Sequence, residues 1–267
     1  MRLLLYQIDA FSSSVFSGNP AAVVPLETWL PDGTLQAIAL ENNLSETAFF
    51  VTASPDSEAD FDLRWFTPAL EVDLCGHATL ASAHVLFEHL GFDRSTVVCS
   101  TQSGLLTASR RDGLLVLDFP AWPGEPVPVT DEIVEALGSR PVEAHRARDL
   151  MNVYTSEADV RGLSPDFPRV RELDALGVMA TAPGQSDYVD FVCRFFAPRA
   201  GIDEDPVTGS AYCTLVPYWA ERLGKSDLHA RQISARGGEL FCRHEPGTDR
   251  VEIAGNAVTY LEGTIDI

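Results

Sequence analysis

The chain has 267 residues, enough for one large domain or two small ones, and a hydrophobic share of 45% typical of globular proteins. Its 19 Lys and Arg stand against 39 Asp and Glu, a net charge of −20, which excludes nucleic acid and anionic membrane as expected partners. Cys75, Cys99, Cys193, Cys213 and Cys242 are odd in number and form no C-x-x-C pair. With no signal-like N-terminal segment and no apolar run of spanning length, they predict reduced thiols in a cytoplasmic chain.

Apolar patterning predicts strands over 3–8 and 21–26 around a turn-rich stretch from Ser12 to Pro20. Leu35, Ile38, Ala39 and Leu44 have helical spacing and predict a helix over 34–43. Strands follow at Ala48–Val51 and Asp60–Phe66. The next helix, about 77–90, is apolar around most of its circumference, which marks it as buried, and Gly91 sits where a C′ glycine would. Strands near 96–99, 105–109 and 114–119 lead to Pro120–Pro128, whose prolines read as a linker between halves. Beyond it the pattern predicts a helix over 131–137, strands over 150–155 and 187–196, and a variable loop over 156–169. A second buried helix spans 208–223, with a kink or broken turn expected at Pro217. Short strands over 231–234, 239–243, 250–254 and 257–266 finish the chain. The class is α+β, with a rolled sheet wrapped around each apolar helix.

The chain also repeats itself. Arg64-Trp65-Phe66-Thr67-Pro68 precedes Gly76-His77-Ala78 and Glu88-His89-Leu90-Gly91. Arg194-Phe195-Phe196-Ala197-Pro198 precedes Gly209-Ser210-Ala211 and Glu221-Arg222-Leu223-Gly224. The offset is 130 at the front (194 − 64) and 133 at the back (224 − 91). Five of the sixteen pairs from 76/209 to 91/224 are identical, against roughly one by chance. Two copies are too few for a solenoid and predict a two-lobed duplicated fold, with a Gly-containing loop at a helix start in each lobe.

Three places offer chemistry. Glu46 stands beside an apolar strand, where burial would make its carboxylate a general base; the plain alternative is a solvent-facing or capping Glu. Cys75-Gly76-His77 opens the first buried helix, where a thiol is expected to have its pKa lowered and Gly76 admits a close ligand; the plain alternatives are an inert thiol and a capping His. A metal is not expected, because His77 and His84 are roughly 10 Å apart along a helix. Asp203-Glu204-Asp205 reads first as an acidic first turn of the second buried helix. In the functional reading Asp205 points into the cleft between lobes, while Gly209 and Ser210 present N–H groups to a carboxylate.

Five linked motifs then carry a resemblance. Asp9-Ala10-Phe11 with Gly18-Asn19-Pro20-Ala21-Ala22, Ser45-Glu46-Thr47-Ala48-Phe49, Arg64–Pro68, Cys75-Gly76-His77-Ala78-Thr79 and Glu204–Ala211 together resemble the PhzF family of phenazine-biosynthesis-like isomerases. The resemblance implies a diaminopimelate epimerase-like fold of two pseudo-symmetric lobes, each a curled, mostly antiparallel sheet around a central helix. It places an N-terminal lobe at 1–120 plus 257–267 and a C-terminal lobe at 121–256. It also implies cofactor-free proton transfer on a small carboxylate-bearing substrate, and a homodimer. By motif, Glu46 matches the family's acid/base, His77 and Asp205 its polar assistants, and Gly76, Gly209 and Ser210 the carboxylate holders. Asn19, Ser45 and Thr208 match positions at the substrate. The family's phenazine enzymes carry a small residue where this chain has Cys75, which makes Cys75 a candidate second acid. Two alternatives stay open: an epimerase using Cys75 and Asp205 as opposed acid and base, and a ligand-binding protein without turnover.

Overall fold

The structure is a computed structural model that describes residues 1–267. The chain forms two compact units: Met1–Asp118 with Ala254–Ile267, and Phe119–Ile253. In chain order the first stretch runs β1 (Arg2–Ala10), β2 (Asn19–Pro25), α1 (Asp32–Asn42), β3 (Glu46–Thr52), β4 (Phe61–Phe66), β5 (Glu71–Val72), α2 (Gly76–Glu88), β6 (Thr96–Thr101), β7 (Gly104–Arg111) and β8 (Leu114–Pro120). Then come β9 (Glu125–Val127), α3 (Asp131–Leu137), β10 (Glu143–Arg146), β11 (Leu150–Val153), α4 (Glu157–Arg161), α5 (Phe167–Glu172), β12 (Val178–Pro183), β13 (Phe191–Ala197) and β14 (Ile202–Asp205). A 3₁₀ turn at Gly209–Ala211 leads into α6 (Tyr212–Leu223), followed by β15 (Asp227–Gln232), β16 (Gly238–Arg243), β17 (Arg250–Gly255) and β18 (Ala257–Asp266). No helix is long and apolar enough to cross a membrane.

In the first unit, β1 lies antiparallel between β18 and β2, β2 runs parallel to β3, and β3 is antiparallel to β4. β4 then pairs antiparallel with β5 and parallel with β6, and β6 and β7 continue antiparallel. The second unit follows the same plan. β10 lies antiparallel between β9 and β11, β11 is parallel to β12, and β12 is antiparallel to β13. β13 pairs antiparallel with β14 and parallel with β15, and β15 is antiparallel to β16. The repeat read in the letters is therefore a repeat of topology.

An ion pair marks the same point of each copy. Arg64 on β4 reaches Glu71 with Nε and Nη2, both at 2.7 Å, and its guanidinium lies 5.1 Å from the Phe66 ring centre. Arg194 on β13 reaches Glu204 with Nε and Nη2, both at 2.8 Å, and lies 5.0 Å from the Phe196 ring centre. Two parallel charge-assisted bonds are stronger and more directional than one. Glu204 thus belongs to a strand, β14, and not to an acidic first turn of the second buried helix, which starts only at Tyr212.

Burial explains why α2 has almost no polar face. Every residue from Gly76 to Phe87 is buried except His84, and the helix packs against β1, β2 and β3. On β3, Phe49 and Val51 join Leu35 and Ile38 of α1 in one cluster, so the pleat turns Ala48 and Phe50 to the opposite face. Gly91 adopts φ +68° and the Phe92 N–H returns to the Leu86 carbonyl at 3.0 Å, closing the helix end.

Three expectations need correction. The stretch 156–169 is not a simple loop: Ser156 and Asp159 form a reciprocal capping box on α4, and Asp166 caps α5. These short helices exist because Val160 and Val170 enter the second unit's core beside Leu150, Val178 and Phe196. Pro120–Pro128 is not a bare linker either, since β9 within it pairs with β10. Finally, α6 runs unbroken through Pro217. A proline removes the N–H that would bond the residue four before it, and that carbonyl, of Cys213, accepts from the Trp122 N–H at 2.8 Å instead.

Candidate active site

In the first unit three elements deliver four polar side chains to one point. Glu46 is the first residue of β3 and lies opposite Ala21 of parallel β2. His77 is the second residue of α2, Cys75 is that helix's extended N-cap residue, and Asn19 starts β2. His77 Nε2 lies 3.0 Å from Glu46 Oε2, Asn19 Nδ2 lies 3.3 Å from His77 Nδ1, and Cys75 Sγ lies 3.6 Å from the same Nδ1. The His77 side chain is 5% exposed and that of Glu46 13%. The turn before Asn19 requires its glycine. Gly18 has φ +68°, and a Cβ there would sit 2.2 Å from the Ala10 carbonyl oxygen.

Glu46 and His77 meet at ion-pair distance, and neither Glu46 Oε2 nor His77 Nε2 has a hydrogen-bond partner. Burial opposes charging the His77 ring, but the neighbouring Cys75 and Glu46 outweigh it and hold the imidazole well above its ordinary 6.5. Cys75 behaves differently from the sequence expectation. Burial first, and the Glu46 charge second, push its thiol up to about 11, and the His77 and helix contributions do not offset this.

Ser45 is the residue before β3, and Gly76 opens α2, whose first-turn N–H groups have no partner earlier in the helix. The expectation of no metal weighed the His77–His84 pair and not a closer set. One donor atom each from Glu46, Cys75 and His77 fits within 4.8 Å.

The second unit builds its own cluster. Asp205 ends β14, and Thr208 donates its hydroxyl hydrogen bond to Asp205 Oδ2. Gln232 of β15 locks this loop: its Oε1 accepts from the Thr208 N–H at 2.9 Å, and its Nε2 donates to the Asp205 carbonyl at 2.8 Å. Gly209 and Ser210 lie in the 3₁₀ turn before α6 and not in the helix itself. Gln232 was missed in the sequence. Its only signal is alternation in β15, where Leu228, Ala230 and Gln232 all point inward.

Comparison with known proteins agrees with this architecture. The family model described as phenazine biosynthesis-like protein matches residues 8–263. An uncharacterized isomerase of Pseudomonas aeruginosa is 52% identical over 266 residues, covering 99% of each chain. The crystal structure of a PhzF-family phenazine biosynthesis protein from Enterococcus faecalis superposes with a TM-score of 0.94 at 46% identity, covering 100% of both chains. A predicted epimerase of Pseudomonas aeruginosa, at 19% identity and TM-score 0.76 over 98% of this chain and 99% of that one, shares the fold. The architecture is the diaminopimelate epimerase-like one.

Proposed function

The chain belongs to the phenazine biosynthesis-like family and is an isomerase of that family, and from that premise we propose that it moves a proton between carbons of a small carboxylic acid without a cofactor, with Glu46 as the acid/base. The observation that carries this reading is the place of Glu46: a largely buried carboxylate, 3.0 Å from the His77 imidazole and without a hydrogen-bond partner at Oε2. An oxygen so placed can take a proton from carbon without first giving up a partner. The C–H bond of the substrate breaks as an O–H bond forms on Glu46; the Glu46 carboxyl proton exchanges with solvent, and a proton from it then goes to a second carbon, which restores the carboxylate. His77 stabilises the ionised Glu46 and hands its other nitrogen to Asn19. The first-turn N–H groups of α2 suit the substrate carboxylate. The neutral Cys75 thiol fits a proton donor and not an opposed base, which disfavours the thiol epimerase reading.

The test is solvent exchange. A panel of small unsaturated and amino carboxylic acids is incubated with the protein in deuterated water and followed by NMR. Incorporation into at least one acid is expected, falling by about 10²–10⁴ in Glu46→Gln. Full incorporation by that variant would overturn the assignment.

A further inference from the structure

We propose that Glu46, Cys75 and His77 form a site for one soft divalent cation of the Zn²⁺ type, whose occupancy switches the carboxylate off. Binding rests on geometry alone; only the inhibitory consequence rests on the role proposed for Glu46.

Four observations support it. The donors are a carboxylate, a thiol and an imidazole, a set that favours Zn²⁺ or Co²⁺ over Mg²⁺ or Ca²⁺. Their separations are close to those of ligands around one ion. Donors at ~2.0–2.3 Å from a tetrahedral centre lie roughly 3.3–3.8 Å apart. Here Glu46 Oε2 and His77 Nε2 are 3.0 Å apart, and one donor atom each from Glu46, Cys75 and His77 lies within 4.8 Å of the others. Third, His77 Nε2 and Glu46 Oε2 are buried neighbours, and neither has a hydrogen-bond partner. A buried polar atom left without a hydrogen-bond partner is open to a cation. Fourth, the ring has its outer support in place: with the ion on Nε2, the Nδ1–H faces the amide of Asn19, a buried residue 3.3 Å away, and metal-bound imidazoles carry such a partner on their other nitrogen.

Binding releases the Cys75 thiol proton and the His77 Nε2 proton to solvent and forms Zn–S, Zn–N and Zn–O bonds, with no change in oxidation state. The oxygen that would take a proton from carbon is then a metal ligand. The protein would be a metal-inhibited enzyme whose inhibitor occupies the base itself.

Co²⁺ added to the purified full-length chain reads the site without any substrate. The expected result is one equivalent bound, with a near-ultraviolet thiolate-to-cobalt charge-transfer band and the visible bands of a four-coordinate ion, displaced by Zn²⁺ and not by Mg²⁺. Cys75→Ser should lose the charge-transfer band, and Cys242→Ser should keep it. Thermal melts without metal establish that each variant is folded, and Zn²⁺ should raise the Tm of the unmodified chain but not of Cys75→Ser. Absence of the band, its survival in Cys75→Ser, or its loss in Cys242→Ser alone would overturn the proposal. If Glu46→Gln kept full exchange activity while the cobalt spectrum behaved as expected, the isomerase role of Glu46 would fall and the metal site would stand.

Discussion

Glu46 and His77 meet at 3.0 Å across an unaligned pair of atoms, one on the first residue of a strand and the other on the second residue of a helix. The relation is positional, so length matters as much as charge. Glu46→Asp keeps the carboxylate and withdraws it by one methylene. A displacement of about 1 Å costs on the order of 10²-fold in rate. Deuterium exchange at saturating substrate should show that loss in the turnover rate, with the melting temperature nearly unchanged.

Arg194 is more than half of an ion pair. Its Nη1 also donates to the carbonyls of Val160 and Leu163, at 3.2 and 2.9 Å, which fastens the end of α4 to β13. Lysine has no fork with which to make these bonds together. Arg194→Lys should therefore destabilise the protein by about 2 kcal/mol or more. Arg2→Ala, which breaks a pair with Asp266 between side chains that are both 70% exposed, should stay within about 0.5 kcal/mol. Urea unfolding of the two variants gives the comparison directly.

Gly18 should not tolerate a side chain. Alanine there would combine positive φ with a Cβ 2.2 Å from the Ala10 carbonyl oxygen, a backbone atom that cannot rotate away. Gly18→Ala should cost at least about 2 kcal/mol and shift Asn19 away from the His77 ring. A small change in denaturation midpoint, under about 0.5 kcal/mol, would contradict this account of the turn.

The half-buried His84 supplies the pH dependence. Burial first, with help from His89 and Arg110, pulls its pKa down to about 4, against the opposing pull of Glu88. The unfolded chain takes up a proton near 6.5 and the folded chain only near 4, so between those values the unfolded state binds more protons and stability falls as pH falls. From pH 7 to pH 5 this group should cost on the order of 1–2 kcal/mol after allowance for water at the ring. The difference in unfolding free energy between the parent and His84→Gln should follow that slope; a flat difference would refute it.

Several of these features were visible in the letters, and the reason some were not is physical. Arg64 and Arg194 declare themselves because a five-residue motif recurs, and the apolar helices because their pattern runs over many residues. α4, α5, β9 and β12 escaped because each is short and owes its stability to the core it enters, not to its own periodicity. Gln232 escaped because an uncharged amide in a strand carries no motif; its meaning lies in a loop 24 residues earlier in the chain that only β13–β15 pairing brings near. Glu46, Cys75 and His77 were each nameable alone. Their convergence was implied only by the family resemblance, since in the letters themselves nothing shows how α2 crosses β2 and β3. The predicted helix-lowered thiol failed because local sequence displays the helix terminus and hides the burial that overrides it.

The pairing of β1 with β18 has a consequence in time. The register runs from Arg2 opposite Asp266 to Ala10 opposite Ala257, so the sheet of the first unit cannot be completed until all 135 residues from Phe119 to Ile253 have been made. At about 5–20 residues per second, the ribosome leaves one flank of β1 open for roughly 7–27 s while the entire second unit emerges. The half translated first must wait for its last strand, and its exposed β1 edge is where a nascent chain would need protection.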